Sequence, residues 1–369
     1  MLNNKHPLMN IAYKKFAKHL DKIPNGYPET ESGVELKILA KLFSIQEAEI
    51  ACELSVEPKP INVIENKPDI SDKELTRLLI GMVKKGLIEM KRENSEFVFY
   101  LIPFVVGFYE HQNAKIDKEF ATLFEQYYKE AFYKAMTISP SVHRIIPVEK
   151  SIPVNIDVMP YERASHYIEG AQSWGVLNCI CRVQKKLIGQ GCEHTIENCL
   201  VFSNKLNAFK KSETIRSISK QEALDILIEA DKEGLVHSTN NVQKEVTYIC
   251  NCCTCSCGVL RGIVEHKNAN AVAASGFYAF VDKELCTGCA ACIERCMFNA
   301  MEIKNDVCEV SILQCLGCGL CVSTCPADAI ELKAKDKNFE NPPITEAEWR
   351  EKRIEAREKQ SYMRQKCKK

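Results

Sequence analysis

An excess of charge of either sign is the first thing this sequence lacks: 49 Lys and Arg stand against 49 Asp and Glu. A balanced chain exerts no global pull on nucleic acid or on an anionic membrane surface. Long apolar runs are missing too. The longest, Tyr100 to Tyr109 (YLIPFVVGFY), is about half a membrane span and carries Pro103, so no membrane span is expected. Met1 to Lys22 is lysine-rich without the apolar stretch of a secretory leader, and a cytoplasmic location is the expectation. Three catalytic signatures are also absent: a Walker loop, a dinucleotide fingerprint between strand and helix, and the C-x3-C-x2-C of radical SAM chemistry. What the chain has is cysteine, 20 in 369 residues, with 46% hydrophobic content to build cores for roughly two to four domains. Without an export signal, that much cysteine points to metal rather than disulfides.

Eight of the cysteines fall into two runs, Cys286-x-x-Cys289-x-x-Cys292-x-x-x-Cys296 and Cys315-x-x-Cys318-x-x-Cys321-x-x-x-Cys325-Pro326. A cubane cluster needs four thiolates, and three close cysteines wrap one face of it. In the bacterial two-cluster pattern the fourth cysteine of each run serves the other cluster. That rule assigns Cys286, Cys289, Cys292 and Cys325 to one [4Fe–4S] cluster, and Cys315, Cys318, Cys321 and Cys296 to the other. A disulfide framework or a pair of zinc sites is the plainer alternative, but zinc pairs carry no third close cysteine. Val281 to Ile303 and Val310 to Leu332 align at a period of 29 residues, so the segment is one strand–loop–helix unit written twice. Gly288 and Gly317 suit backbone that passes close to an inorganic core. The region resembles a bacterial two-cluster ferredoxin, with Met297 where the second run has Pro326.

The first hundred residues predict helices over Glu31–Phe43 and Gln46–Leu54, then a helix opened by Ser71-x-x-Glu74 and closed by Gly86. Strands over Leu87–Lys91 and Glu96–Ile102 follow. Three helices and a hairpin resemble a winged-helix domain. DNA reading by its third helix is one implication; a scaffold for docking or for a homodimer is the other. Residues 1–112 hold 15 basic and 16 acidic side chains, a weak footing for phosphate contacts. Residues 117–136 predict an amphipathic helix whose Phe120, Phe124, Tyr127, Tyr128 and Phe132 form a packing stripe toward the next domain. Pro140, Pro147, Pro153 and Pro160 then mark an extended connector.

Nine more cysteines lie between 179 and 257: Cys179, Cys181, Cys192 and Cys199, then the dense run of Cys250, Cys252, Cys253, Cys255 and Cys257. Between the groups, Ser219-x-x-Glu222 opens a helix that stops at Gly234, and a strand near Val246–Ile249 delivers the dense run. Three readings stay open: a further Fe–S cluster with Cys179, Cys181, Cys192 and Cys199 as the economical set, structural zinc, or a redox dithiol or persulfide-handling site. Strand alternation would point Cys253, Cys255 and Cys257 one way and Cys252 the other. His194 and His237 are further ligand candidates, each with an ordinary polar role as the plainer reading. Arg182 is a candidate to neutralise an anionic cluster, or else a surface arginine. Cys52, Cys308 and Cys367 fall outside every spacing and are not ligand candidates.

Residues 345–366 predict a charged helix opened by Thr345-x-x-Glu348. From 334 onward the tail holds 11 basic and 7 acidic residues, whereas 277–333 holds 4 basic and 8 acidic. An acidic face around clusters suits a redox partner, and the tail could fold onto it, reach a partner, or stay solvated. The fold class is α+β, with a winged-helix-like domain at 1–112, a helical and extended connector at 113–165, a cysteine-rich domain at 166–272, a two-cluster ferredoxin-like module at 273–333 and a charged helix at 334–369. That layout resembles a family of iron–sulfur proteins of anaerobes, the 4Fe–4S dicluster ferredoxin type; Ser256 here replaces one cysteine of its denser run. The resemblance implies two [4Fe–4S] clusters, with a further Fe–S cluster or zinc within 179–257. The expected role is electron transfer to or from a partner oxidoreductase, rather than a stand-alone enzyme. Two other classes compete: a redox-sensing DNA-binding regulator, and an oxidoreductase with its chemistry at the central cysteines.

Overall fold

The computed structural model describes residues 7–64, 70–152, 159–336 and 339–366. Pro153 of the connector and the near-terminal Cys367 lie outside them. The chain mixes helix and sheet, and it divides into two compact units, Met1–Ala135 with Lys186–Gln190 and Met136–Lys185 with Gly191–Lys369. Among the described residues no helix is long and apolar enough to cross a membrane.

The first unit opens with a helix the lysines had masked, Pro7–Lys22, which buries Tyr13, Phe16 and Leu20. Helices Val34–Leu42, Ile45–Ala51 and Asp72–Lys85 follow. Ser71 caps the third of these by accepting from the Glu74 backbone N–H at 3.3 Å, while the Glu74 carboxylate turns to Arg77. The reciprocal capping box sits instead at Ser44 and Glu47. Gly86 ends the helix in the left-handed region (φ 73°). The hairpin Ile88–Glu93 and Glu96–Leu101 turns through Asn94 and Ser95, both at positive φ, and Lys59–Pro60 adds a short antiparallel third strand. The aromatic stripe of helix Lys118–Tyr127 and its continuation packs within this unit: Phe124 stacks on Tyr109 at 4.0 Å, and Phe104 meets Tyr127 and Phe132.

The second unit is built on a seven-stranded sheet. Its spatial order is Val272–Ala273, His143–Ile145, Val236–Asn240, Tyr248–Cys252, Glu197–Ser203, Ser173–Asn178 and Arg216–Ile218. All pairings are antiparallel except the first. The proline-rich connector therefore supplies an interior strand, and its Arg144, fully buried, donates to Val242 O, Tyr161 O and Tyr167 Oη. Helix Lys220–Lys232, capped by Ser219, lays Ala223 and Leu227 on the sheet. The charged tail helix Glu346–Lys366 is not merely solvated. Trp349 enters the same core and donates to Ser141 O at 2.9 Å, and the buried Arg353 donates to Pro140 O.

The C-terminal repeat forms two small antiparallel ladders, Phe277–Val281 with Ile330–Ala334 and Met301–Lys304 with Val307–Val310. The two copies are thereby intertwined, since the first strand of copy one pairs with the last strand of copy two.

Candidate metal centres

The intertwining brings the eight repeat cysteines together as two sets of four. Cys286, Cys289, Cys292 and Cys325 line one cavity. Cys296, Cys315, Cys318 and Cys321 line a second. These are the sets that the crossed two-cluster pattern assigns. Backbone amides aim at the sulfurs in a pseudo-symmetric way: Cys308 N–H donates to Cys286 Sγ at 3.4 Å and Ala279 N–H to Cys315 Sγ at 3.4 Å. Ala300 N–H donates to Cys296 Sγ at 3.4 Å and Ala329 N–H to Cys325 Sγ at 3.3 Å. Such bonds set partial positive charge against the sulfurs that would ligate iron. Gly288 (φ 64°) lies so near Asp306 O that a Cβ would stand 2.5 Å from it, and Gly317 (φ 67°) is packed on Phe277 O and Ser275 Oγ.

The two cavities differ in their surroundings. In the first loop Thr287 and Cys289 are exposed, whereas in the second Leu316, Gly317, Gly319 and Leu320 are buried. Val148 N–H donates to Cys318 O at 2.8 Å, Ser151 Oγ to Gly319 O at 2.9 Å and Ser275 Oγ to Gly317 O at 2.8 Å. Cys308 sits in the wall of the first cavity, with its Sγ 3.5 Å from Cys292 Sγ. The repeat position matching it in the second cavity is Ala279.

The central cysteines separate differently from the economical set. Cys179 contacts Cys181 and Cys199; Cys181 reaches Cys257, Cys199 reaches Cys250, and Cys252 joins Cys250 to Cys257. Six thiols thus close a ring. Cys192 is not among them and lies instead with His194, Cys253 and Cys255. Alternation fails to predict this because the strand stops at Cys252. Cys250 and Cys252 share a face, a turn throws Cys253 and Cys255 to another side, and Cys257 returns to the ring as the N-cap of helix Gly258–Val264. Cys179 likewise precedes helix Ile180–Leu187. Backbone N–H groups of Arg182 and Leu260 donate to Cys179 and Cys257. Hydrogen bonds from Cys181 and Cys199 hold the Cys179 thiol well below its ordinary value, and those from Cys250 and Cys257 lower Cys252 to about 7.

Arg182 is no surface residue. It is 1% exposed, and its guanidinium donates to Thr195 O, Asn198 Oδ1 and Asn251 O at 2.7–2.8 Å. Burial alone would lower its pKa; the facing Cys179, Cys253 and Cys252 outweigh that and raise it. Cys255 first, and then Arg182, draw Cys253 down to about 5. His237 lies behind the ring, bonded through Nδ1 to Asn251 Oδ1 at 2.7 Å. A chain missed by sequence reasoning runs from Tyr248 Oη to His143 Nε2 (3.0 Å), then from His143 Nδ1 through Ser238 Oγ (3.4 Å) to Cys252 Sγ (3.6 Å). Met297 packs with Cys192, Cys253, Ala230 and Leu235, which accounts for the apolar residue where the second run has proline.

The 4Fe-4S binding domain family matches residues 310–331, the second copy of the repeat. The chain is an iron–sulfur protein. The match spans Cys315, Cys318, Cys321 and Cys325, so the protein carries at least one [4Fe–4S] site. Searches of curated proteins and of solved structures found no match. None of the nineteen described cysteines forms a disulfide.

Proposed function

We propose that this iron–sulfur protein is an electron carrier with two [4Fe–4S] clusters, one held by Cys286, Cys289, Cys292 and Cys325 and the other by Cys296, Cys315, Cys318 and Cys321. The observation that carries this reading is the pair of cavities, each lined by four cysteines of the repeat motif, produced by one 29-residue repeat and served by matched N–H donors. Clusters of this class supply one-electron redox chemistry. The chain's own part is to fix the thiolates, to neutralise their charge with backbone N–H groups, and to exclude water from the second site more than the first.

The six-thiol ring of the central sheet suits a further iron–sulfur centre. Each of its thiols contacts two others around a closed ring, a set with enough thiolates for a four-iron core, and Arg182 faces Cys179 and Cys252 with a positive charge. The partner is a redox protein that docks on the acidic repeat, in an anaerobic cytoplasm. The first unit is a winged-helix-like scaffold for docking or homodimer formation; its near-neutral charge gives phosphate little purchase. Anaerobic iron and sulfide quantitation with low-temperature EPR tests the reading. About eight iron atoms per chain in the repeat, and about four more with the ring filled, are expected. Protein that stays colourless and iron-free after reconstitution would refute it.

A further inference from the structure

The four residues left out of the ring make a compact group of their own. Cys192, His194, Cys253 and Cys255 each offer one ligand atom, and all four atoms lie within 4.8 Å of one another. Cys192 Sγ is 3.9 Å from Cys253 Sγ, and His194 Nδ1 is 3.8 Å from Cys255 Sγ. A tetrahedral ion with Zn–S near 2.3 Å sets its thiolates about 3.7 Å apart. These separations therefore fit groups gathered about one ion. Around a cubane each iron takes its own thiolate, and the sulfurs stand apart across the cluster, as the cavities of the C-terminal repeat allow.

We propose that Cys192, His194, Cys253 and Cys255 bind a single zinc(II) ion in a closed tetrahedral site, distinct from every iron–sulfur centre of the chain. Three thiolates and one neutral imidazole around Zn²⁺ carry one net negative charge. The Arg182 guanidinium faces Cys253 of this group as well as Cys179 and Cys252 of the ring, so its positive charge is shared between the two sites. The ligands come as two Cys-x-ligand pairs from separate segments, so the ion joins the 192–194 loop to the turn after strand Tyr248–Cys252. The apolar patch of Ala230, Leu235 and Met297 packs on Cys192 and Cys253. The ion thereby staples the central sheet beside Met297, the neighbour of Cys296. This does not depend on what the C-terminal cavities hold.

Full-length protein isolated anaerobically is expected to retain about one zinc per chain after dialysis against a chelator. Cobalt(II) exchanged into that site should show the intense visible bands of tetrahedral thiolate coordination. H194A should lose the zinc and the cobalt bands while keeping the full iron count, and H194C, which restores a fourth ligand, should regain zinc. Wild-type protein free of zinc, or H194A with full zinc and an unchanged cobalt spectrum, would overturn the site. So would a C255A variant that loses iron instead of zinc. A missing iron count with zinc intact would instead count against the electron-carrier reading alone.

Discussion

Replacing Gly317 with alanine isolates the geometry of the second loop. Alanine at φ 67° costs about 1–2 kcal/mol for the left-handed backbone alone. The added Cβ would also fall onto Phe277 O and Ser275 Oγ. Neither can yield cheaply, because Phe277 begins the strand paired with Ile330–Ala334 and Ser275 Oγ donates to Gly317 O. Overpacking of this kind adds about 1–3 kcal/mol, for a total of roughly 2–5 kcal/mol. Gly33 is the matched control: it has φ 65° and nothing within 4 Å of its would-be Cβ, so G33A carries only the backbone cost. Iron quantitation and thermal melting of the anaerobic proteins read the difference. G317A should lose about four irons, those served by Cys315, Cys318 and Cys321, while G33A keeps them all. G317A with full iron and a melt no lower than that of G33A would refute the reasoning.

Three further outcomes are expected. Burial lowers His143 to about 4, below the unfolded value, so the folded state binds fewer protons between roughly pH 4 and 6.5. Its stabilising share, about 3 kcal/mol, is complete above pH 6.5 and is lost as pH falls through 4; H143Q should flatten the fall in melting temperature across that window. W349A removes a core side chain that is 3% exposed and should cost about 3–5 kcal/mol, read as faster proteolysis of helix Glu346–Lys366; unchanged cleavage would count against the anchoring role. C308A should keep the full iron count while shifting one reduction midpoint, because the Cys308 thiol touches Cys292 without completing its set. Loss of half the repeat's iron would instead make Cys308 a ligand.

Much of this was legible in residue spacing, where the spacing itself is the constraint. The crossed sets of the C-terminal repeat follow from three close cysteines and one distant one. The helices opened by Ser71 and Ser219 follow from short-range capping chemistry. Alternation could not divide the central nine cysteines, because their grouping depends on where a strand ends and on a loop carrying Cys192 to the turn at Cys253. The Cys192-x-His194 pair was a usable signal for that second group. Helix Pro7–Lys22 was readable from Tyr13, Phe16 and Leu20, but the lysines between them hid the stripe. Arg182 carries no mark in sequence that distinguishes a buried cation from a surface one.

Cys289 meets solvent, while its repeat counterpart Cys318 is only partly exposed, in a loop whose carbonyls accept from Val148 N–H and Ser151 Oγ. Oxygen, peroxide or a chelator arriving from outside reaches the first loop before the second. Under the two-cluster reading proposed above, wear on this molecule has an order: the outer site is spent first and the inner one outlasts it.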